Sequence, residues 1–214
     1  SVVSVSEIVV DGSNACGEIV IPPGIKGIAA FAFAGNITIT AIQLPDSIEY
    51  IGDSAFMGCT HLKEVRFQSV PEIGNRAFSK SGVTEISGSV TRLGEQAFAY
   101  CRYLEKVNLQ RVKVLQKETF TGCDKLSECT FPDLASVEDY CFTGCKALTG
   151  FDFSTVLSVG KHAFERCFSF KEIKLKRETI VAEYAFCDCC YVERITITDR
   201  DFHFGSYAFS GCTS

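Results

Sequence analysis

Apolar residues along this chain follow two superimposed periods. Over short stretches they alternate, as in Val65 with Phe67, Val107 with Leu109, Phe151 with Phe153, Ile173 with Leu175 and Ile195 with Ile197. A period of two predicts short strands with one buried face. Over the whole length the same blocks return. A phenylalanine preceded by a small residue stands at Phe33, Phe56, Phe78, Phe98, Phe120, Phe142, Phe164, Phe186 and Phe209, at intervals of 20 to 23 residues. Self-similarity at this period is the mark of a stacked-repeat architecture, in which one coil cannot bury its own apolar face and a stack of coils can.

Other positions keep step with the phenylalanine. Five residues before it sits Ile28, Ile51, Ile73, Leu93, Leu115, Val137, Val159, Val181 or Phe204, often followed by glycine as in Gly52, Gly74, Gly94, Gly160 and Gly205, where a tight bend is expected. Three residues after it come Cys59, Cys101, Cys123, Cys145, Cys167, Cys189 and Cys212, with Asn36 and Ser81 in two coils. The unit reads A-F-x-x-C-x-x-L-x-x-V-x-F. Residues 17–28, GEIVIPPGIKGI, supply Ile19 and Ile21 as a first repeat strand, and residues 1–16, with a turn signal at Asp11-Gly12, are expected to form a strand-rich cap. The coil of Phe78 is short: SKSGVTEISGSV loses one residue before Val83 and another near Gly88, predicting an irregular sheet there. The solenoid is expected over 17–214, with the last coil stopping before its strand.

The period and the C-x-x-L-x-x-V-x-F block resemble a leucine-rich repeat. The added I-G-x-x-A-F signature, as in IGDSAFMGCTHLKEVRF, is similar to that of the BspA-like leucine-rich-repeat family, and the likeness covers nearly the whole chain. The general pattern L-x-x-L-x-L-x-x-N/C-x-L is broken where Val112 fills the late asparagine or cysteine slot, a departure typical of this subclass. The resemblance implies an α/β-type right-handed solenoid of about nine coils, with short parallel strands on the inner face and irregular outer turns. It also implies a surface or secreted protein of the kind implicated in adhesion to host matrix proteins and other cells.

Composition narrows the function classes. The 214 residues are 46% hydrophobic and 22% charged, with no tryptophan, one methionine and 18 phenylalanines, which the repeat explains. A net charge of -5 gives no global basic field, so nucleic acid is not an expected partner. No apolar run of about 18 residues is present, and the chain opens on Ser1, so neither a membrane span nor a leader is expected within it. No cofactor is called for, and a monomer is expected.

Twelve cysteines raise two chemistries. In FCDCC only Cys189 is the repeat cysteine, and Cys187 and Cys190 flank it. Four convergent ligands at metal spacing are missing, and His61, His162 and His203 fall in different coils. Ladder cysteines about 5 Å apart are within bridging reach, but equivalent side chains in a ladder point in parallel, so free thiols packed as small hydrophobes are expected. Cys141, Cys187 and Cys190 lie off the ladder and are the exceptions to check. GDSAF offers Ser54 as a hydrolase serine, but the same slot is read as Arg76, Gln96, His162 and Ser206 elsewhere, and no motif positions a histidine and an acid as partners. Asn36-Ile37-Thr38 is a glycosylation sequon whose asparagine fills the ladder slot, so its amide is expected to point inward and satisfy backbone groups.

What remains for function is the solvent face of the strands. Its candidates are Gln43; Glu64, Arg66, Gln68; Glu85; Lys106, Asn108, Gln110; Glu128, Thr130; Asp152, Ser154; Glu172, Lys174, Lys176; Arg194, Thr196 and Thr198. Such a face, about 40 Å long at strand spacing, suits a protein partner. Lys171, Lys174, Lys176, Arg177, Arg194 and Arg200 gather late in the chain, after Asp124, Glu128, Asp133, Glu138 and Asp139, which suggests an acidic partner or a sulfated glycan at the last coils. The reading is therefore a non-catalytic protein-binding module, the alternative being an intracellular scaffold or spacer that displays another domain.

Overall fold

The computed structural model describes residues 2–176, 178–198 and 203–212. Among them there are strands and turns and no helix, so the α/β label is replaced by a parallel-strand β-solenoid of about nine turns. The chain opens with an antiparallel hairpin of β1 (Val3–Val5) and β2 (Ile8–Asp11). Its turn lies at Ser6 and Glu7, both at positive φ, and not at Asp11-Gly12. The Asp11 carboxylate instead accepts the Ser13 amide, while Gly12 lies against Phe33, whose ring an added Cβ would meet at 2.1 Å.

Two ladders of parallel strands then run along the stack. The long ladder contains β3 (Gly17–Val20), β5 (Ile39–Gln43), β7 (Glu64–Arg66), β9 (Glu85–Ser89), β11 (Lys106–Gln110) and β13 (Glu128–Thr130), and resumes with β16 (Glu172–Leu175) and β18 (Arg194–Ile197). The short ladder continues from β2 through β4 (Gly27–Ile28), β6 (Tyr50–Ile51), β8 (Glu72–Ile73) and β10 (Arg92–Leu93), and resumes as β12 (Val114–Leu115), β14 (Ser136–Val137), β15 (Ser158–Val159) and β17 (Ile180–Val181). Outer turns that the repeat pattern left irregular thus contain a second sheet.

The turn joining the ladders is just as regular. Two residues before each core phenylalanine the backbone is left-handed, at Phe31, Ser54, Arg76, Gln96, Glu118, Tyr140, His162, Tyr184 and Tyr207, with φ from 54 to 60°. Two residues after it the backbone is left-handed again, at Gly35, Gly58, Lys80, Tyr100, Gly122, Gly144, Arg166, Asp188 and Gly211. Between these points each coil donates three amide hydrogen bonds to the next, as Ser54 to Asn75, Phe56 to Ala77 and Gly58 to Ser79, at 2.7 to 2.9 Å. Those bonds offset left-handed conformations that cost non-glycine residues about 1–2 kcal/mol each. The glycines after the short strands open the expected bend, as Ala55 donates its amide to Gly52 at 3.2 Å and Ala77 to Gly74 at 3.3 Å, and they also allow close approach: none has positive φ, and a Cβ on Gly52 or Gly94 would lie 2.5 or 2.4 Å from a backbone nitrogen of the preceding coil.

The core is the phenylalanine stack. Successive rings from Phe33 to Phe209 lie 4.9 to 5.5 Å apart with interplanar angles of 1 to 16°. The seven ladder cysteines line it, each donating its thiol to the carbonyl of the preceding coil's phenylalanine at 3.0 to 3.3 Å, as Cys59 to Phe33 and Cys145 to Phe120. They are therefore hydrogen-bond donors as well as small apolar fillers. Asn36, in the same slot, gives its amide to the carbonyls of Gly12 and Ala15 at 2.9 Å and accepts the Thr38 and Ile39 amides, buried at 5% exposure.

Two irregularities interrupt the long ladder. β7 and β9 share only Glu64↔Glu85 and a bridge of Ser69 with Ser89, an offset that shrinks by one residue where Gly88 adopts φ 143°. This is the irregularity expected of the short coil. The alternating Phe151 and Phe153 also predicted a strand, but none forms there. The Asp152 carboxylate caps the Ser154 amide at 2.8 Å, an Asx turn that competes with ladder pairing, and the Phe151 and Phe153 rings pack edge-on to Phe164.

Replacing Phe98 by alanine is expected to destabilise the protein by about 3–5 kcal/mol, and Arg166→Gly to stabilise it by up to ~1 kcal/mol by relieving a left-handed non-glycine. Denaturant titration checks both; a stabilising effect would be absent if Arg166 were not held at positive φ.

Candidate functional site

The sheet of β3 to β13 brings most of the candidate face together, because parallel pairing in register places equivalent residues side by side. One row runs Ala41, Glu64, Glu85, Lys106, Glu128, and the next runs Gln43, Arg66 in the first strands and Ser87, Asn108, Thr130 in the last. Gln110 continues the face beside Ser89. Gln68 and Lys176 are exposed just past the ends of β7 and β16, Asp152 is exposed in the turn between the two parts of the ladder, and Glu172 with Arg194 and Lys174 with Thr196 pair in the separate sheet of β16 and β18. The face is thus two patches and not one uninterrupted sheet.

Charge on these patches is largely matched within them. Arg66 bonds Glu18 at 2.6 Å and also Glu64, and the two hydrogen bonds, Glu18 first, raise its already high pKa. Lys106 pairs with Glu128 at 3.3 Å, and Asn108 accepts the Gln110 amide at 2.7 Å. In the second patch Lys174 and Arg194 both reach Glu172, at 2.9 and 3.8 Å, and Lys171 reaches Glu193 at 3.2 Å. Exposed pairs of this kind contribute about 0–1 kcal/mol each, so they organise side chains more than they stabilise the fold. They also neutralise much of the positive cluster read in the late coils, of which Arg177 and Arg200 lie outside the described residues.

The other candidate chemistries resolve individually. All twelve cysteines are free thiols, including Cys141, Cys187 and Cys190. Among the described residues no group of three or more His, Cys, Asp or Glu could hold a metal ion. Ser54 is 6% exposed and fills the left-handed slot of its coil. No helix among the described residues is long and apolar enough to cross a membrane.

One surface feature escaped the sequence reading. The left-handed slot before the phenylalanine carries Tyr140, His162, Tyr184 and Tyr207 in four successive coils, and their rings stack at 4.8 to 5.2 Å along the turn edge. His162 is tied to Glu165, Nδ1 to Oε2, at 2.9 Å. The repeat spacing of these aromatics was visible; their outward direction depends on the sign of φ, which the residue types do not declare.

Parallel ladders, a phenylalanine spine and a repeated thiol slot define a leucine-rich-repeat solenoid. The profile of the BspA type leucine rich repeat region, six copies, matches residues 1–105 and 91–214, and the chain belongs to that family. Among solved structures it is similar to a leucine-rich repeat protein from Bacteroides ovatus, with a TM-score of 0.54 and 21% identity over 96% of this chain and 75% of that one. It is also similar to the T. pallidum leucine rich repeat protein, with a TM-score of 0.52 and 23% identity over 66% of this chain and 82% of that one. At such identities the likeness establishes the fold alone. Comparison with curated proteins returns no match.

Burial pushes the Cys101 thiol from its ordinary 9.0 to about 11, and Cys59 and Cys129 to about 12. Above pH 9 the unfolded chain releases these protons while the folded chain keeps them, so folding takes up protons and stability falls as pH rises. The denaturant midpoint is expected to decline between pH 9 and about 11, less steeply in a Cys59→Ala, Cys101→Ala variant. Thiol counting checks the same burial: Cys16 and Cys190 should react in the native state, and the six fully buried ladder thiols only after unfolding.

Proposed function

We propose that the protein is a non-catalytic protein-binding module of a surface or secreted protein, engaging a protein partner through the long-ladder face. The observation that carries this reading is the in-register display of Lys106, Asn108 and Gln110 with Glu128 and Thr130 from adjacent strands, with Arg66 on the same sheet beside Gln43, a polar surface built on a rigid sheet. Rigid display reduces the ordering cost that a flexible surface meets on binding. Its matched charges favour a partner with interleaved charge, and the family resemblance favours a host matrix protein or another cell-surface protein. A sulfated glycan on Lys174, Lys176 and Arg194 is a weaker fit, since Glu172 faces two of those cations.

Intracellular scaffolding is the second reading, and the twelve free thiols keep it in view: unpaired cysteines suit a reducing or anaerobic setting. Surface biolayer interferometry against immobilised host matrix glycoproteins separates the two. Binding is expected for the native chain and a loss of about tenfold or more for Arg66→Glu with Lys106→Glu, since charge reversal in an interface costs several kcal/mol. Equal binding by native and reversed chains, or none to any matrix glycoprotein, would overturn the face or the surface role respectively.

A further inference from the structure

The shortened coil leaves more than a bulge. In most coils two residues separate the ladder cysteine from the next buried aliphatic residue, as Thr60 and His61 do before Leu62 and as Arg102 and Tyr103 do before Leu104. In the coil between these two, Gly82 alone separates Ser81 from Val83, and it lies so tightly on its neighbour that a Cβ would sit 2.1 Å from the Thr60 carbonyl. A cleft of about 550 Å³ lies at this short coil, bounded by Thr60 on one side and Arg102 and Tyr103 on the other, with Lys80, Ser81 and Tyr100 completing it.

The lining is chemically one-sided. Thr60, Lys80, Tyr100, Arg102 and Tyr103 each bring a hydroxyl or a positive charge, the buried Ser81 hydroxyl being turned to the Cys101 thiol at 3.4 Å, and none of the six carries a carboxylate, in a chain whose net charge is -5. Neither Lys80 nor Arg102 has an ion-pair partner among the described residues. Lys80 and Tyr100 also occupy the left-handed slot after the phenylalanine, at φ 58 and 59°, where five of the nine coils place glycine. Two adjacent coils therefore hold side chains over this cleft in a backbone conformation that disfavours them. Tyr100 lies over Gly122, where a Cβ would meet its ring at 2.6 Å, and Lys125 covers Tyr103 at 5.4 Å, so both rings are supported from the coil ahead.

We infer that this cleft is a binding site for an anionic sugar residue, independent of the long-ladder face. Arg102 and Lys80 would hold the acid group by charge-assisted hydrogen bonds, the tyrosine rings would lie against the sugar's C–H face, and the hydroxyls of Thr60 and the tyrosines would meet its own. The volume suits one or two sugar rings. An acidic peptide shares the charge but has no C–H face to lay against the tyrosine rings.

Titration calorimetry with methyl glucuronide and with N-acetylglucosamine 6-sulfate tests this, the two probes separating carboxylate from sulfate. Methyl glucoside serves as the neutral control and a hexa-aspartate peptide as the rival ligand. At least one anionic sugar should bind saturably, and Arg102→Gln or Lys80→Gln should each weaken it by about tenfold with the thermal midpoint unchanged, the loss that removing one charge-assisted hydrogen bond produces. Tyr103→Ala should weaken the sugar and leave a purely charge-held peptide unaffected. No saturable binding by either acid sugar, equal binding by the neutral sugar, retention of affinity in both glutamine variants, or tighter binding of the peptide would each overturn the assignment.

Discussion

Everything in this molecule is spaced by the amide that each core phenylalanine donates to the coil ahead. Phe56 to Ala77, Phe98 to Thr119 and Phe164 to Ala185 span 2.7 to 2.9 Å and fix the advance from one coil to the next at strand spacing. Stacked rings, thiol donors and strand registers all inherit that interval. Rings at 4.9 to 5.5 Å are in contact because the backbones beneath them are hydrogen-bonded. A buried carbonyl one coil back is within reach of a cysteine Sγ for the same reason. Shortening or lengthening a coil can be tolerated only at the perimeter, never at this turn.

That constraint explains which parts of the fold were readable in the letters. Phenylalanine, its preceding small residue and the aliphatic residue before the turn each recur because each fills one fixed place in the spine, so coil number and buried set follow directly from spacing. Glycine was readable as a bend and not as a contact. At Gly52 the chain does turn, but there and at Gly94 a missing side chain is also what lets two backbones touch, and both demands give the same letter. The left-handed slots were not readable at all, since Arg76, Gln96 and Tyr140 look like ordinary polar positions until neighbouring amides force φ positive. Phe151 and Phe153 alternate as a strand does, and only the Asp152 cap diverts them.

The candidate face was readable residue by residue but not in its partition. Alternation alone places Glu64, Lys106 and Lys174 on one side; it cannot tell that Lys106 would find Glu128 and Lys174 would find Glu172, because those pairings depend on coil register. The short coil was readable, and the cleft beside it was not. A gap is visible in an alignment of coils, whereas the side chains that converge on it come from three coils at once.

The break at Asp152 has a mechanical side. Nearly every bond between coils joins residues 19 to 26 positions apart, so the chain closes in equal, local steps and folds by propagation along the stack. Where the long ladder lapses, between β13 and β16, a step keeps its turn amides, thiol bonds, aromatic cluster and short ladder but lacks the long-ladder bonds that the other steps have. Pulled from its two ends, the solenoid would peel coil by coil toward that joint, with the coils on either side of it parting as separate segments.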